Sequence, residues 1–500
     1  MSDAFNGFIS LLSIWTLLYI NLGVIVGIIF GAIPGLSGTI GIILFLPVTY
    51  AMQADHALIF LLSIFCGGEF GGSISAILIG TPGTNAAAAT MLDGYPLAKQ
   101  GKARKGLMMA LVASVFGGLF SALILLFAAP AIAEFTINFG PAEFFTLAVF
   151  GLSVISSISG KSAVKGVIAG GIGVLVSLVG IDDMTGTPRL TFDNIEMLRG
   201  LGLMPVLMGL FAVPSILEMV GKTFTASERR DEAVTLNDGD RLTRAEWTGC
   251  IRTMIRSSII GTIVGAIPGP GTGLASFLGY DRAKRASKTP ELFGTGMLDG
   301  VAGSESANNA VTAGALIPLF TLGIPGSPSA AVLIGAFMIH GMVPGPALFQ
   351  EQGVLMWAIM IGMIIINIFM LLQGRLLTRL FAQITRVPET SLAPILLVLC
   401  SAGAYSVNNS MFDVGVFFVF GFLSHVLGKL GFPIMPISLG YVLGPMAEFN
   451  LRRALVLSEG SPSIFFTRPI SLFFIVITIA TIYMTSRPQR AAASEKTARS

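Results

Sequence analysis

Apolar runs about as long as a lipid bilayer is thick recur along the whole chain, and no other feature constrains its fold as strongly. A helix needs about 20 apolar residues to cross the hydrocarbon core. Of the 500 residues, 53% are hydrophobic and only 11% are charged, which is too little charge for the surface of soluble domains. We therefore expect an all-α polytopic membrane protein with about 10 to 13 membrane elements. The expected spans lie near 8–30, 56–80, 107–133, 142–160, 163–181, 200–220, 250–267, 301–323, 353–373, 392–408, 411–428, 433–447 and 469–486.

Four shorter apolar segments, at 38–50, 85–92, 272–280 and 328–340, each follow a Pro-Gly turn. They are too short to cross the membrane alone. Pro removes a backbone donor and Gly admits conformations that other residues avoid, so the pair breaks a helix. The alternative is that each pair only kinks a transmembrane helix, in which Pro and Gly are frequent. Because four such turns occur, two in each half of the chain, re-entrant or broken helices are favoured over simple kinks.

Lys and Arg accumulate in cytoplasmic loops, and their distribution predicts the threading of the chain. Residues 1–98 contain neither, and the first basic residues come together within 99–105. The N-terminus is therefore expected in the periplasm, and the basic tail at 487–500 places the C-terminus in the cytoplasm. The stretch 452–468 fits poorly, because its arginines fall in a segment that the alternation puts outside.

The chain is expected to divide into two transmembrane halves. The polar, charged stretch near its middle is the only candidate linker of any length. We predict a first half at 1–222, a cytoplasmic linker at 223–248, a second half at 249–488 and a cytoplasmic tail at 489–500.

The two halves repeat a motif. Residues 27–35 (GIIFGAIPG) and 261–269 (GTIVGAIPG) differ only at their second and fourth positions. A second correspondence aligns the glycine-rich surroundings of Glu69 and Glu305, and so makes these two residues equivalent. The first copy begins without Lys or Arg and ends in a basic loop, whereas the second copy does the reverse. The copies are therefore expected to be inverted, which is the layout of secondary transporters with a midplane binding site.

Backbone N–H groups after the four Pro-Gly turns form the predicted substrate site. Each turn would leave a helix N-terminus inside the protein, where free N–H groups and a positive dipole end favour a carboxylate. Ser327 is expected to cap the fourth short helix, with Pro328 at its first position, and Thr84 or Asn85 to cap the second. The predicted substrate-binding residues are Pro34, Gly35, Ser37, Gly38, Pro82, Gly83, Thr84, Asn85, Pro268, Gly269, Gly271, Thr272, Asn308, Asn309, Pro325, Gly326 and Ser327.

Glu69 and Glu305 are the predicted ligands of a coupling cation. An ionisable group inside the membrane is costly unless it is paired, protonated or ion-bound. The alternative is a buried Glu satisfied by backbone donors at a helix break. Asn308 and Asn309 offer oxygens to a cation or amides to a carboxylate, or else join two helices by hydrogen bonds. A proton and Na⁺ both remain open, and a bound Na⁺ is the only cofactor that the pattern suggests.

Charge and cysteine content argue against other classes of protein. The formal net charge is +3, and no patch combines aromatic and basic residues, so nucleic acid is not an expected partner. Cys66, Cys250 and Cys400 form no C-x-x-C pair, so neither a disulfide framework nor a thiolate metal site is expected.

These motifs resemble those of the large membrane subunit of the tripartite tricarboxylate transporters. The most specific is GGSISAILIGTPGTNAAAATMLDGYPLA at 71–98, followed by ESANNA at 305–310, LGIPGS at 322–327 and HGMVPGPALF at 340–349. The resemblance implies uptake of a small organic di- or tricarboxylate, of which citrate is one, across the bacterial inner membrane by symport with a proton or sodium. It also implies two partners, a small four-helix membrane subunit and a periplasmic solute-binding protein.

Two other functions are weighed beside transport by symport. An intramembrane enzyme would need a catalytic pair at a common depth, such as two aspartates or a Ser/His couple, and the sequence shows none. A passive anion channel would need a continuous pore, which fits poorly with glycine-lined breaks in a repeat. We therefore do not expect an enzyme.

The threading can be tested with single cysteines placed in a background without the three native ones. Ala4→Cys and Gln350→Cys should react with a membrane-impermeant thiol reagent from the periplasm, and Lys102→Cys only from the cytoplasm, because 1–98 and 289–374 lack Lys and Arg. Labelling of positions 102 and 350 from the same side would contradict the inverted repeat.

Overall fold

The computed structural model describes residues 2–158, 163–225, 240–384 and 389–497, and most of these are helical. Of the predicted linker, residues 226–239 lie outside the described residues, as do residues 498–500 of the predicted tail. The expected all-α architecture is confirmed.

Twenty-four α-helices follow one another in the described residues. The first ten are α1 (Ser2–Leu11), α2 (Ile14–Ala32), α3 (Gly38–Thr49), α4 (Ala54–Ile79), α5 (Ala87–Leu97), α6 (Ala103–Thr136), α7 (Pro141–Ile158), α8 (Ala163–Ser177), α9 (Ile195–Leu198) and α10 (Leu203–Thr225). The next seven are α11 (Arg244–Gly249), α12 (Ile251–Ala266), α13 (Gly271–Ala286), α14 (Leu298–Gly314), α15 (Leu316–Leu322), α16 (Pro328–Ile339) and α17 (Ala347–Glu351). The last seven are α18 (Gly353–Leu376), α19 (Thr378–Ile384), α20 (Glu389–Asn408), α21 (Met411–Lys429), α22 (Met435–Leu457), α23 (Ile464–Thr467) and α24 (Pro469–Thr497).

Strands β1 (Gly180–Ile181) and β2 (Pro188–Arg189) form a short antiparallel hairpin between α8 and α9.

Six helical segments of the described residues are long and apolar enough to cross a membrane, which makes the chain a multi-pass membrane protein. They are Ile14–Ala32, Ala54–Ile79, Ala87–Thr136, Leu203–Gly221, Gly353–Leu376 and Met411–Lys429. The third comprises α5 and α6, which are joined through a kink at Gly101.

The four short apolar segments predicted after Pro-Gly turns are separate helices, α3, α5, α13 and α16, of 11 to 16 residues. The prediction of broken helices at these turns is confirmed. The breaks separate α2 from α3, α4 from α5, α12 from α13 and α15 from α16.

Two spans predicted as continuous are divided. The span at 8–30 is interrupted at Ser13, whose backbone is extended, and α1 packs instead against α18. Gly7 makes this packing close, because a Cβ at that position would lie 2.8 Å from the backbone nitrogen of Ala358.

The span at 301–323 divides at Ala315. Pro318 explains the division, since it cannot donate the hydrogen bond that would join α14 to α15.

The chain packs as two compact units. One comprises Met1–Ala133 and Phe211–Asn409, and the other comprises Glu134–Leu210 and Ser410–Ser500. The first unit contains all four breaks. This division follows packing, whereas the two predicted halves follow the repeat, and they stay a prediction.

Within the first unit, two segments that the charge pattern assigns to the same side are in contact. The Lys105 ammonium lies 2.8 Å from Glu246 and 3.1 Å from Asp240, which both belong to the predicted linker. Glu246 also closes a capping box with Thr243 at the start of α11. The basic loop and the predicted linker therefore lie side by side, and the side of the membrane on which they lie stays a prediction.

Within the second unit, ion pairs hold two of the arginines that conflicted with the predicted threading of the chain through the membrane. Arg452 lies 2.6 Å from Asp182 and 3.3 Å from Glu448, and Arg468 lies 3.3 Å from Glu143. Arg453 lies with its guanidinium 5.3 Å from the centroid of the Phe449 ring. These contacts bind the arginines within the second unit, and the side of the membrane on which they lie stays a prediction.

The pair of Asp182 and Arg452 predicts how the hairpin responds to pH. Hydrogen bonds from Arg452 and from the backbone of Met184 hold the pKa of the Asp182 carboxyl well below its usual range. Such a group stabilises the fold above its unfolded pKa, and this stabilisation is lost as the pH falls through its folded pKa.

The melting temperature of the parent should therefore exceed that of Asp182→Asn at neutral pH. The difference should persist near about pH 4, the usual pKa of Asp, and vanish only in stronger acid. Asp183→Asn is the matched control, because Asp183 is exposed. Equal losses in the two variants would contradict the assignment.

Candidate functional site

The four breaks are closed by contacts that recur in the two copies. A Cβ on Gly83 would lie 2.0 Å from the carbonyl oxygen of Gly31, and one on Gly326 would lie 2.1 Å from that of Gly265. Gly31 and Gly265 hold the same place in the nine-residue motif. In each copy, the Pro-Gly turn of the second broken helix thus packs against the C-terminal end of the first broken helix, and only glycine fits there.

The same kind of contact sets the register of the repeat. A Cβ on Gly27 would lie 2.4 Å from the Ile64 oxygen, and one on its counterpart Gly261 would lie 2.1 Å from the Ala307 oxygen. Ile64 and Ala307 are therefore equivalent. Glu69 lies five residues after Ile64 on α4, and Thr312 lies five residues after Ala307 on α14, so Thr312 is the counterpart of Glu69. The prediction that Glu69 and Glu305 are equivalent is wrong, because it aligned similar letters rather than the positions that pack.

Two of the short helices begin with a serine cap. Ser327 accepts a hydrogen bond from the Ala330 amide at 3.2 Å, with Pro328 in the first turn, as predicted. Ser37 caps α3 in the same way through the Ile40 amide at 3.4 Å. At the start of α5, the Thr84 hydroxyl accepts from the Ala87 amide at 3.4 Å, although Thr84 lies outside the standard cap position.

The N-termini of α3, α13 and α16 lie together. The hydroxyls of Thr39 and Ser329, each in the first turn of its helix, are 2.7 Å apart. A Cβ on Gly271, where α13 begins, would lie 3.9 Å from the ring of Pro328, where α16 begins. These contacts bring together breaks that are far apart in the chain.

The N-terminus of α5 joins the same cluster. A Cβ on Gly273 of α13 would lie 3.9 Å from the Cβ of Asn85, and the Ser276 hydroxyl donates to the Ala86 carbonyl at 2.8 Å. Four helix N-termini therefore converge within the first unit. We call this cluster the four-helix mouth.

The predicted substrate-binding residues surround the mouth at different depths. Buried are Pro34, Gly38, Gly83, Thr84, Pro268, Gly271, Asn308, Asn309, Pro325, Gly326 and Ser327; half-buried are Gly35, Ser37, Pro82, Gly269 and Thr272; Asn85 is exposed. The protein thus covers the mouth at most of these positions and leaves it uncovered at a few.

Glu305 is fully buried on α14 and held by two hydroxyls. Thr90 of α5 donates to one carboxyl oxygen at 2.5 Å, and Ser114 of α6 donates to the other at 2.7 Å. The Ser304 hydroxyl lies 2.9 Å from that of Thr90. The sequence singled out Glu305 but not Thr90 or Ser114, since nothing in the local pattern links three helices.

Glu69 has a different environment. It is 6% exposed, and one of its carboxyl oxygens has no hydrogen-bond partner in the described part of the chain. The Thr272 side chain, at the start of α13, is its neighbour, and Glu305 lies close enough to interact with it electrostatically. Glu69 therefore connects the interior of the unit to the four-helix mouth.

The two asparagines lie beside the carboxylates. The Asn308 amide donates to the Glu69 backbone carbonyl at 3.1 Å. Its side-chain oxygen, both polar atoms of Asn309 and the Ser306 hydroxyl are buried without a partner among the described residues. Buried polar atoms are nearly always hydrogen-bonded, so these four unpartnered atoms on one helix mark α14 as the place to look for a ligand.

Asp93 is a buried carboxylate that the sequence prediction missed, although it stands within the motif at 71–98. It accepts three backbone hydrogen bonds, each of 2.8 Å, from Gly294, Gly296 and Met297. An Asp-Gly pair directly after the short segment predicted at 85–92 carried no signal of such a distant contact.

Comparison with known proteins agrees with the resemblance of the motifs. The Tripartite tricarboxylate transporter TctA family model matches residues 17–439. An uncharacterized 52.8 kDa protein in the TAR-I ttuC' 3'region of Agrobacterium vitis is 36% identical over 488 residues, covering 98% of this chain and 96% of that protein. An uncharacterized protein in the TAR-II ttuC' 3'region of the same organism is 40% identical over 228 residues, covering 46% of this chain and 94% of that protein. No solved structure matches the chain. Because the family model covers well over half of its length, the chain belongs to the tripartite tricarboxylate transporter TctA family.

Proposed function

We propose that this chain carries a small organic di- or tricarboxylate across the bacterial inner membrane by symport with a proton or Na⁺. Its family is one of tricarboxylate transporter components rather than of enzymes. The single observation that carries the proposal is the convergence of four helix N-termini at the four-helix mouth.

The mouth has the chemistry that a carboxylate needs. The first turn of a helix leaves N–H groups without an intrahelical partner, and its dipole end is positive. Such ends bind anions without any basic side chain. Four of them supply enough donors for more than one carboxylate group, which favours a di- or tricarboxylate over a monocarboxylate.

A cation site adjoins this anion site. Carboxylate and amide oxygens are the ligands that Na⁺ prefers, and the unpartnered oxygens of Glu69, Asn308 and Asn309 are of this kind. A proton on Glu69 or Glu305 would serve the same purpose, since an unpaired charge at that depth is costly.

Thr272 connects the two sites. It stands in the first turn of α13, at the mouth, and is also the side-chain neighbour of Glu69. An anion and a cation bound a few ångströms apart in a poorly solvated place attract one another, so binding of each favours binding of the other. This proximity is the physical basis of coupling in the proposal.

The partners and the orientation belong to the same proposal. The family name implies further subunits. We propose a small membrane subunit as the permanent partner and a periplasmic solute-binding protein that delivers the carboxylate. The charge pattern supports a periplasmic N-terminus and a cytoplasmic C-terminus.

Uptake of labelled carboxylates into proteoliposomes tests the function. The chain is reconstituted with its small subunit and a binding protein, with and without an imposed proton or Na⁺ gradient. We expect uptake that follows one of the gradients. Flux that ignores every gradient would favour a passive channel, and no flux of any carboxylate would overturn the proposal.

The role of the turns predicts the effect of a single methyl group. Gly83→Ala and Gly326→Ala should each lower uptake about tenfold or more, because the new Cβ must displace the backbone that closes the break. Gly415→Ala is the matched control, since a Cβ there meets no atom within 4 Å. Uptake is compared at equal amounts of protein in the vesicles. Unchanged uptake in both turn variants would mean that the turns are only kinks.

The role of the carboxylates predicts a loss of coupling. Glu69→Gln and Glu305→Gln keep the side-chain size and remove the charge, so gradient-driven uptake should fall while counterflow, which needs no net ion movement, survives better. The exposed Glu291→Gln is the control. Gradient-driven uptake and counterflow are measured in the same vesicles. Wild-type rates and ion dependence in both variants would show that the two residues are structural.

A further inference from the structure

Asp93 joins the two copies of the repeat. It lies on α5, the short helix after the first copy's second break, and its partners lie in the loop just before α14 in the second copy. One fully buried carboxyl oxygen accepts from the amides of Gly294, Gly296 and Met297, each at 2.8 Å. Three donors on one oxygen is a strong, charge-assisted arrangement.

The loop is shaped for this carboxylate. Gly294 and Gly296 have φ of 94° and 113°, a backbone conformation that side chains disfavour, and it turns successive N–H groups toward one point. The α-helix that follows begins at Leu298 with Met297 as its N-cap residue, so Asp93 holds the loop immediately before that helix and its N-cap residue. A Cβ on Gly300 would lie 2.1 Å from the second carboxyl oxygen of Asp93, so that position also leaves room for it.

A second contact lies one helical turn away. Thr90 and Asp93 are three residues apart on α5 and share a face of that helix. Thr90 donates to Glu305 at 2.5 Å, so α5 touches α14 at its start and again two turns further on. A helix fixed at two points along one face neither rotates nor slides freely against its neighbour.

We propose that Asp93 is a positioning residue: its carboxylate ties α5 to the start of α14 and thereby holds the Thr90 hydroxyl on Glu305. The role in coupling rests on the function proposed above, in which Glu305 serves the coupling cation, whereas the tie itself does not. Without the tie, α5 shifts and Glu305 loses the Thr90 hydroxyl while it keeps that of Ser114, so it is held less firmly and the affinity for the coupling cation falls.

Two variants and a control separate this role from a loss of folding. Asp93→Ala removes every acceptor, whereas Asp93→Asn keeps one carbonyl oxygen for the three amides. Asp281→Ala is the control, because Asp281 forms an exposed pair with Arg285 on α13. Each of the three substitutions is made in the parent protein and in a second background that has no native cysteine and carries Thr295→Cys. Position 295 is chosen because Thr295 is exposed and lies in the loop that Asp93 binds.

The first measurement is the rate at which the thiol introduced by Thr295→Cys reacts with a soluble thiol reagent in the reconstituted transporter. We expect Asp93→Ala to raise this rate about tenfold, Asp93→Asn to raise it far less and the control to leave it unchanged. Equal rates in Asp93→Ala and the parent would overturn the tie. This measurement needs no transport, so it decides the tie even if the chain carries no carboxylate.

The second measurement is the concentration of coupling ion that half-saturates uptake, at equal protein in the vesicles. Asp93→Ala should raise it about tenfold and change the maximal rate much less, and Asp93→Asn should restore most of the affinity. A merely structural role would lower the amount of active protein without moving the half-saturation point. An unchanged half-saturation point in Asp93→Ala, in a parent that transports, would overturn the link to Glu305 and leave the proposed function standing.

Discussion

A membrane has no water to satisfy exposed peptide groups, and the arrangement of the first unit depends on this constraint. A helix that breaks in hydrocarbon must give its freed N–H and C=O groups new partners. Here the Gly83 amide donates to the Gly72 carbonyl at 3.3 Å, and the Ile324 amide to the Pro318 carbonyl at 3.2 Å. The close glycine contacts exclude lipid from the same places. Breaks satisfied in this way leave the N-termini of the following helices free to face a ligand.

The sequence predicted the breaks well because their cause is local. A Pro-Gly pair removes a donor and admits unusual backbone angles wherever it stands, so α3, α5, α13 and α16 begin close to where the motif placed them. The Ser327 cap was predictable for the same reason. Whether these residues bind a substrate is a separate matter that the breaks alone do not decide.

What the sequence did not reveal depends on contacts between distant segments. Thr90 and Ser114 meet Glu305 only because α5, α6 and α14 pack together, and Asp93 meets its loop across two hundred residues of chain. No periodicity encodes such pairs. The division of 8–30 at Ser13 was missed for a related reason, since α1 leaves the axis of α2 to pack against α18, far along the chain.

The register of the repeat shows which features the two copies share and which occur in one copy only. Packing makes Thr312 the counterpart of Glu69, Leu62 that of Glu305 and, counting on from the paired turn glycines, Ala336 that of Asp93. The breaks and their glycine contacts are thus shared by both copies, whereas each carboxylate occurs in one copy only. A two-fold scaffold allows equivalent rearrangements of its two halves. In the proposed function, carboxylates that lack a counterpart would provide one cation site rather than two, so a single ion-binding event would bias both halves through the contact of Asp93 that joins them.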